Sequence, residues 1–86
     1  MFEVKLTTQA ERAYRRLDKA MRGRVDSVFL KLQGGEFTSN NITALKGKLK
    51  GYLRYRLGDW RIVFSIDYKK REVWVAALTT RGGAYT

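Results

Sequence analysis

Two alternating runs, Tyr52–Leu57 and Trp60–Ile66, flank the two residues Gly58-Asp59, and this stretch constrains the chain more than any other. Such a pattern predicts a tight β-hairpin. Pairing Leu57 with Trp60 sets Arg56 opposite Arg61, Tyr55 opposite Ile62, Arg54 opposite Val63 and Leu53 opposite Phe64. Cross-strand partners project to the same side. Leu53, Tyr55, Leu57, Trp60, Ile62, Phe64 and Ile66 therefore form one apolar face, and Tyr52, Arg54, Arg56, Arg61, Val63 and Ser65 form the other. The apolar face needs a core behind it, so the arginine face looks outward. Directly opposed like charges cost a few tenths to about 1 kcal/mol. A chain that keeps Arg56 across from Arg61 is expected to meet an anion there.

The rest of the chain supplies that core. Phe2 to Leu6 alternates as a short half-buried strand. Thr8-Gln9-Ala10-Glu11 has the form of a capping box, with Thr8 as the expected cap. Ala10, Ala13, Tyr14 and Leu17 then recur at helical spacing, with Arg12, Arg15 and Arg16 on the wet side. Asp18 can cap a second helix whose stripe is Met21, Val25, Val28, Phe29 and Leu32, and Gly34-Gly35 ends it. Helices joined so tightly predict a helical hairpin packed on one sheet face. Residues 36–43 read as an ordered surface loop, and Leu45–Gly51 carries Lys46, Lys48 and Lys50 into the hairpin. After a polar turn at 67–71, Glu72–Thr80 is a last strand with apolar residues on both faces, and its register is open. Residues 1–86 read as a single α+β domain: strand, helix, helix, then three antiparallel strands.

Charge and missing residue types narrow the chemistry. Net charge is +10, and residues 44–86 hold 10 Lys and Arg against 3 acids, while residues 1–43 hold 8 against 5. Such an excess favours a polyanion as partner and places it on the hairpin half. Without His or Cys, the ordinary zinc and copper sites, His-based triads and disulfides are excluded. No carboxylate falls on the arginine face, which argues against a two-metal nuclease and against paired-carboxylate chemistry. No metal or cofactor is expected. With no leader pattern and no run able to span a membrane, the expected compartment is the cytoplasm. What remains is a sheet face bearing Arg54, Arg56 and Arg61, flanked by Lys46, Lys48 and Lys50. Guanidinium groups match phosphate oxygens two at a time, and Tyr52 or Tyr85 can stack on bases.

Leu45-Lys46-Gly47-Lys48-Leu49-Lys50-Gly51, followed by Tyr52-Leu53-Arg54-Tyr55-Arg56-Leu57-Gly58-Asp59-Trp60-Arg61-Ile62-Val63-Phe64, resembles the central signature of the RelE/ParE toxin superfamily. The helical hairpin with Leu17-Asp18-Lys19 and the closing Arg81 and Tyr85 match the family order over essentially the whole chain. In the RelE branch the resemblance implies a ribosome-dependent, metal-independent ribonuclease. It would cut messenger RNA by attack of a ribose 2′-oxygen on the adjacent phosphate, leaving a 2′,3′-cyclic end. The family's catalytic positions then correspond to Arg54, Arg56, Arg61, Arg81 and Tyr85, with Lys46, Lys48, Lys50 and Tyr52 as further RNA contacts. Arg56 and Arg61 would stabilise the pentacoordinate phosphate, Arg81 would neutralise or protonate the leaving oxygen, and Tyr85 would stack on or orient a base. The best-known members carry lysines where this chain has Arg54 and Arg56. Arginine keeps its proton, with a pKa above about 12, so Arg54 is a poor general base. The tail after Arg81 is also shorter than that of some relatives. The rival branch implied by the same resemblance is a ParE-type toxin that poisons DNA gyrase and cleaves nothing.

The resemblance also implies partners: the ribosome and messenger RNA, and an acidic RelB-like antitoxin, with DNA contacted only through the antitoxin complex. A small, strongly basic domain suits an acidic, partly disordered segment that folds as it binds. Val63, Val73 and Val75 would supply an apolar grip if they lay on the outer face.

Overall fold

Residues 1–80 are described by a computed structural model of the chain. Strand β1 (Glu3–Leu6) leads into helices α1 (Thr8–Arg16) and α2 (Lys19–Gln33). Strands β2 (Ile42–Ala44), β3 (Leu53–Leu57), β4 (Trp60–Asp67) and β5 (Glu72–Thr80) follow, with one 3₁₀ turn at Gly47–Leu49. The sheet order is β1-β5-β4-β3-β2, antiparallel throughout except that β1 runs parallel to β5. The α+β expectation holds, with two helices packed on one face of a mixed sheet of five strands. No helix of the described residues is long and apolar enough to cross a membrane.

The hairpin forms with the expected register, Leu57 against Trp60 through Leu53 against Phe64. Gly58 opens its turn at φ 61°, the left-handed value that two-residue hairpin turns demand of their first central residue. The helix stripes are likewise as expected. Ala10, Leu17, Val25, Val28 and Leu32 meet Tyr55, Ile62, Phe64, Val73, Val75 and Leu78 in the core. Asp18 caps α2 by accepting a hydrogen bond from the Met21 amide at 2.7 Å. At the other end the Gly35 and Glu36 amides reach back to the Leu32 and Lys31 carbonyls, which closes α2 where Gly34-Gly35 predicted.

Four expectations are corrected. The cap of α1 is Thr7, not Thr8. Its Oγ1 accepts from the Ala10 amide at 3.2 Å and donates to the Ala76 carbonyl at 3.0 Å, while Glu11 instead pairs with Arg15 at 2.6 Å. Thr7 wins because it alone satisfies a helix end and a strand carbonyl together. The loop read over 36–43 gives way to β2, whose Ile42 lies opposite Tyr55 and packs on the core. The Asn41 carbonyl also takes up the Arg56 amide at 2.9 Å, which would otherwise be unpaired on an edge.

The third correction concerns β5, which is irregular beside Val63 and Phe64. Val63 pairs with Ala77 and Phe64 with Val75, so Ala76 is an extra residue that shifts the alternation. Val73 and Val75 face the core before the bulge and Leu78 faces it after. That is why both faces of this run read as apolar. The fourth follows: Val73 and Val75 are core residues and cannot grip a partner. Val63 does lie on the outer face with Arg54, but it is fully buried there with Ala77, at 0% exposure each.

Candidate functional site

Arg54 and Arg56 are two apart on β3, and Arg61 answers Arg56 from β4, so one face of the sheet carries all three. The Arg56 amide points to β2, which makes Arg56 and Arg61 a non-hydrogen-bonded pair across the hairpin. Such pairs bring Cα atoms to about 4.5 Å, the closest cross-strand approach a sheet offers. Arg56 is exposed, and Arg54 and Arg61 are half-buried. Arg61 Nη1 donates to the carbonyls of Trp60 at 3.2 Å and Gly58 at 3.4 Å, which folds its guanidinium over the turn. Arg54 Nε is buried with no hydrogen-bond partner among the described residues. Thr79, opposite Arg61 on β5, likewise buries an unpartnered Oγ1. Among the described residues no carboxylate pairs with Arg54, Arg56 or Arg61. The face is an uncompensated cationic surface built on a rigid hairpin.

The other expected residues are placed less closely. Lys46, Lys48 and Lys50 are exposed on the β2–β3 connection around the 3₁₀ turn. That connection enters β3 at the end away from Gly58, so the lysines lie more than about 13 Å along the strand from Arg56, at about 3.3 Å per residue. Tyr52 precedes Leu53, is half-buried, and accepts a hydrogen bond at its carbonyl from the Leu45 amide at 3.0 Å. Arg81 and Tyr85 lie outside the described residues.

One neighbour, Arg24 of α2, escaped the sequence reading, which placed Arg12, Arg15 and Arg16 on the wet side and gave Arg24 no role. The Arg24 guanidinium reaches the hairpin turn, 3.4 Å from where a Cβ on Gly58 would stand. The turn thus sits between Arg24 and Arg61. Nothing in the helical spacing of Arg24 announces this, because the reach depends on how α2 crosses the sheet. A concavity of about 540 Å³ lies elsewhere, lined by Thr8, Gln9, Arg12, Ala13, Arg16 and Leu78. Its lining comes from α1 and Leu78, on the helix side of the sheet. Among the described residues no group of three or more acidic side chains could hold a metal ion.

The fold and this face together define a class. The chain matches a YoeB/ParE toxin from Agrobacterium tumefaciens with a TM-score of 0.80 and 18% identity, covering 92% of this chain and 98% of that one. It matches the archaeal RelE of a RelE–RelB complex from Pyrococcus horikoshii with a TM-score of 0.74 and 27% identity, covering 96% and 98%. The intact RelBE toxin–antitoxin complex of E. coli gives 0.77 and 13%, covering 93% and 96%. No protein-family model and no curated protein sequence matches the chain. Two helices on a five-stranded mixed sheet, with near-complete coverage in both directions, make this a RelE-like toxin fold. The hairpin pattern read from the sequence sits on that fold, so the chain is similar to RelE/ParE toxins in architecture.

Proposed function

We propose that this chain is the toxin of a type II toxin–antitoxin pair and that it cuts messenger RNA on the ribosome. The observation that carries the reading is the Arg54/Arg56/Arg61 face, three guanidiniums without a carboxylate partner among the described residues, two of them in the closest cross-strand pair. Its repulsion is relieved by a phosphate between the two chains of charge, and more fully by the doubly charged phosphorane of a 2′-oxygen attack. Arg56 and Arg61 stabilise that charge, and Arg54 positions the strand. Because arginine stays protonated, the 2′-proton leaves to a group other than Arg54. Arg81 and Tyr85 retain the roles that the resemblance implies, at the leaving oxygen and at a base.

The partner in this reading is an acidic antitoxin. The archaeal RelE and the E. coli RelE are both found in complexes with RelB. With Val73 and Val75 in the core, Leu30 and Tyr68, at 68% and 66% exposure, are among the apolar contacts open to it.

The test is primer extension on a translated message after expression of wild type and Arg61→Ala. Cleavage at defined sites by wild type, reduced about 10²–10³-fold in the variant, is the expected result. Equal cleavage by both removes Arg61 from the mechanism. Intact messages together with DNA breaks in the same cells would replace the nuclease with the gyrase-poisoning reading.

A further inference from the structure

The outer face of the sheet carries four rows across its strands: the arginines occupy the two nearest the turn, and Asp67, Glu72 and Glu3 form the last, which corrects the expectation that no carboxylate lies on this face. Nearest the turn stand Arg56, Arg61 and Thr79, and next come Arg54, Val63 and Ala77. In the third row Ser65 of β4 pairs with Trp74 of β5, which pairs in turn with Lys5 of β1. Tyr52, two residues before Arg54, has the parity to close this row on the β3 side.

Trp74 is 38% exposed, unusual for a residue that could have been buried by a one-residue shift. It is also held firmly. Its Nε1 donates to Glu72 Oε1 at 3.1 Å, and Lys5 Nζ lies 5.6 Å from the ring centre and 2.8 Å from Glu72 Oε2. Lys5 is shared between Glu72 and, at 3.7 Å, Glu3, and the indole's one polar atom is satisfied. What the ring still offers is apolar π surface. Strands are about 4.8 Å apart, so Trp74 and Tyr52 stand about 10 Å from each other with the small Ser65 between them. Ser65 is four residues from Arg61, about 13 Å along β4.

We propose that Trp74 is a stacking platform for an unpaired RNA base, one neighbouring the base at the cut and bound on the same sheet face as the phosphates held by Arg54, Arg56 and Arg61. This rests on the RNA reading above. A flat aromatic beside a run of guanidiniums is how proteins hold single strands without reading their sequence, phosphates by charge and bases by stacking. The third row lengthens the bound strand beyond the reactive phosphate. Lys5 and Glu72 are positioning residues that fix the ring before the base arrives.

The experiment titrates the protein with a ten-nucleotide 2′-O-methyl RNA, which cannot be cleaved, and follows tryptophan emission. Quenching on binding is expected in wild type and not in Trp74→Phe. Trp74→Ala and Trp74→Leu should bind about 5- to 100-fold more weakly, as loss of one stacked base predicts. The salt dependence of binding should be unchanged in both, since no phosphate contact is lost, whereas Arg56→Ala lowers the slope by about one. Trp74→Leu keeps apolar cover on β5, so it reports stacking even if Trp74→Ala folds poorly. Wild-type affinity in folded Trp74→Leu, or no quenching in wild type, overturns the proposal. Cleavage of translated messages, followed in parallel, separates the two readings. Wild-type cutting with unaffected Trp74 variants sinks the platform alone, and RNA binding without any cutting sinks the nuclease alone. Messages carrying 4-thiouridine, photolysed on ribosomes, assign the base: a crosslink from Trp74 to the message supports the proposal, and one to ribosomal RNA alone overturns it.

Discussion

Arg56 and Arg61 face each other across a non-hydrogen-bonded site of the β3–β4 hairpin, where side chains of opposing strands come closest. No carboxylate among the described residues offsets the pair. Stability and function should therefore pull in opposite directions here. Arg56→Thr removes the repulsion and adds a good strand former, so it should raise stability by up to about 1 kcal/mol. In a chain of this size that is about 4–8 °C in melting temperature. The same variant should lose message cleavage by about 10²-fold. Thermal melting and primer extension on one preparation check both halves, and a fall in melting temperature would contradict the account.

Gly58 holds the turn that aligns this pair. At φ 61° an added Cβ is strained, and it would stand 3.4 Å from Arg24 Nη2. Gly58→Ala should cost about 1–2 kcal/mol, and Gly58→Asn distinctly less because asparagine tolerates the left-handed region. Urea midpoints of the two variants measure the difference.

Thr7 joins β1, α1 and the β5 bulge through one hydroxyl. Thr7→Val keeps the shape and removes both bonds, leaving the Ala76 carbonyl without its donor. The expected loss is about 1–3 kcal/mol, with Thr7→Ser retaining most of the stability. A matching Thr8→Val should be near neutral, since Thr8 is exposed and does not cap.

The Lys5–Glu72 pair sets a pH signature. Hydrogen bonding from Lys5, then from the Trp74 indole, holds the Glu72 carboxyl below its ordinary 4.5. A depressed folded value means the contribution is present above the unfolded value and disappears as pH falls through the folded one. Hydrogen bonding to Glu72 raises Lys5 above its ordinary 10.5, so its share is present below that value and is lost as pH rises beyond it. The melting-temperature gap between wild type and Glu72→Gln should hold steady from pH 6 to 9. It should close below about pH 4, where the unfolded carboxyl also protonates. A gap that persists at pH 2 would show that the pair acts through packing instead of charge.

Short-range pattern was enough for the parts of this molecule that depend on short-range physics. A two-residue turn leaves one register for the β3–β4 hairpin, and a period of two then sorts arginines from core. The α2 stripe, the Asp18 cap and the Gly34-Gly35 stop follow from neighbours within a turn of helix. Tertiary structure decided the rest. The parallel pairing of β1 with β5 and the choice of Thr7 over Thr8 depend on partners such as Ala76, 69 residues away. The short β2 exists because β3 offers it an edge, not because Ile42-Thr43-Ala44 favours a strand alone. One extra residue at Ala76 hid the two faces of β5, and with them the fact that Trp74 shares a face with Arg54, Arg56 and Arg61. Sequence alone determines which side chains alternate, but a bulge resets the count, and only the strand it pairs with shows where.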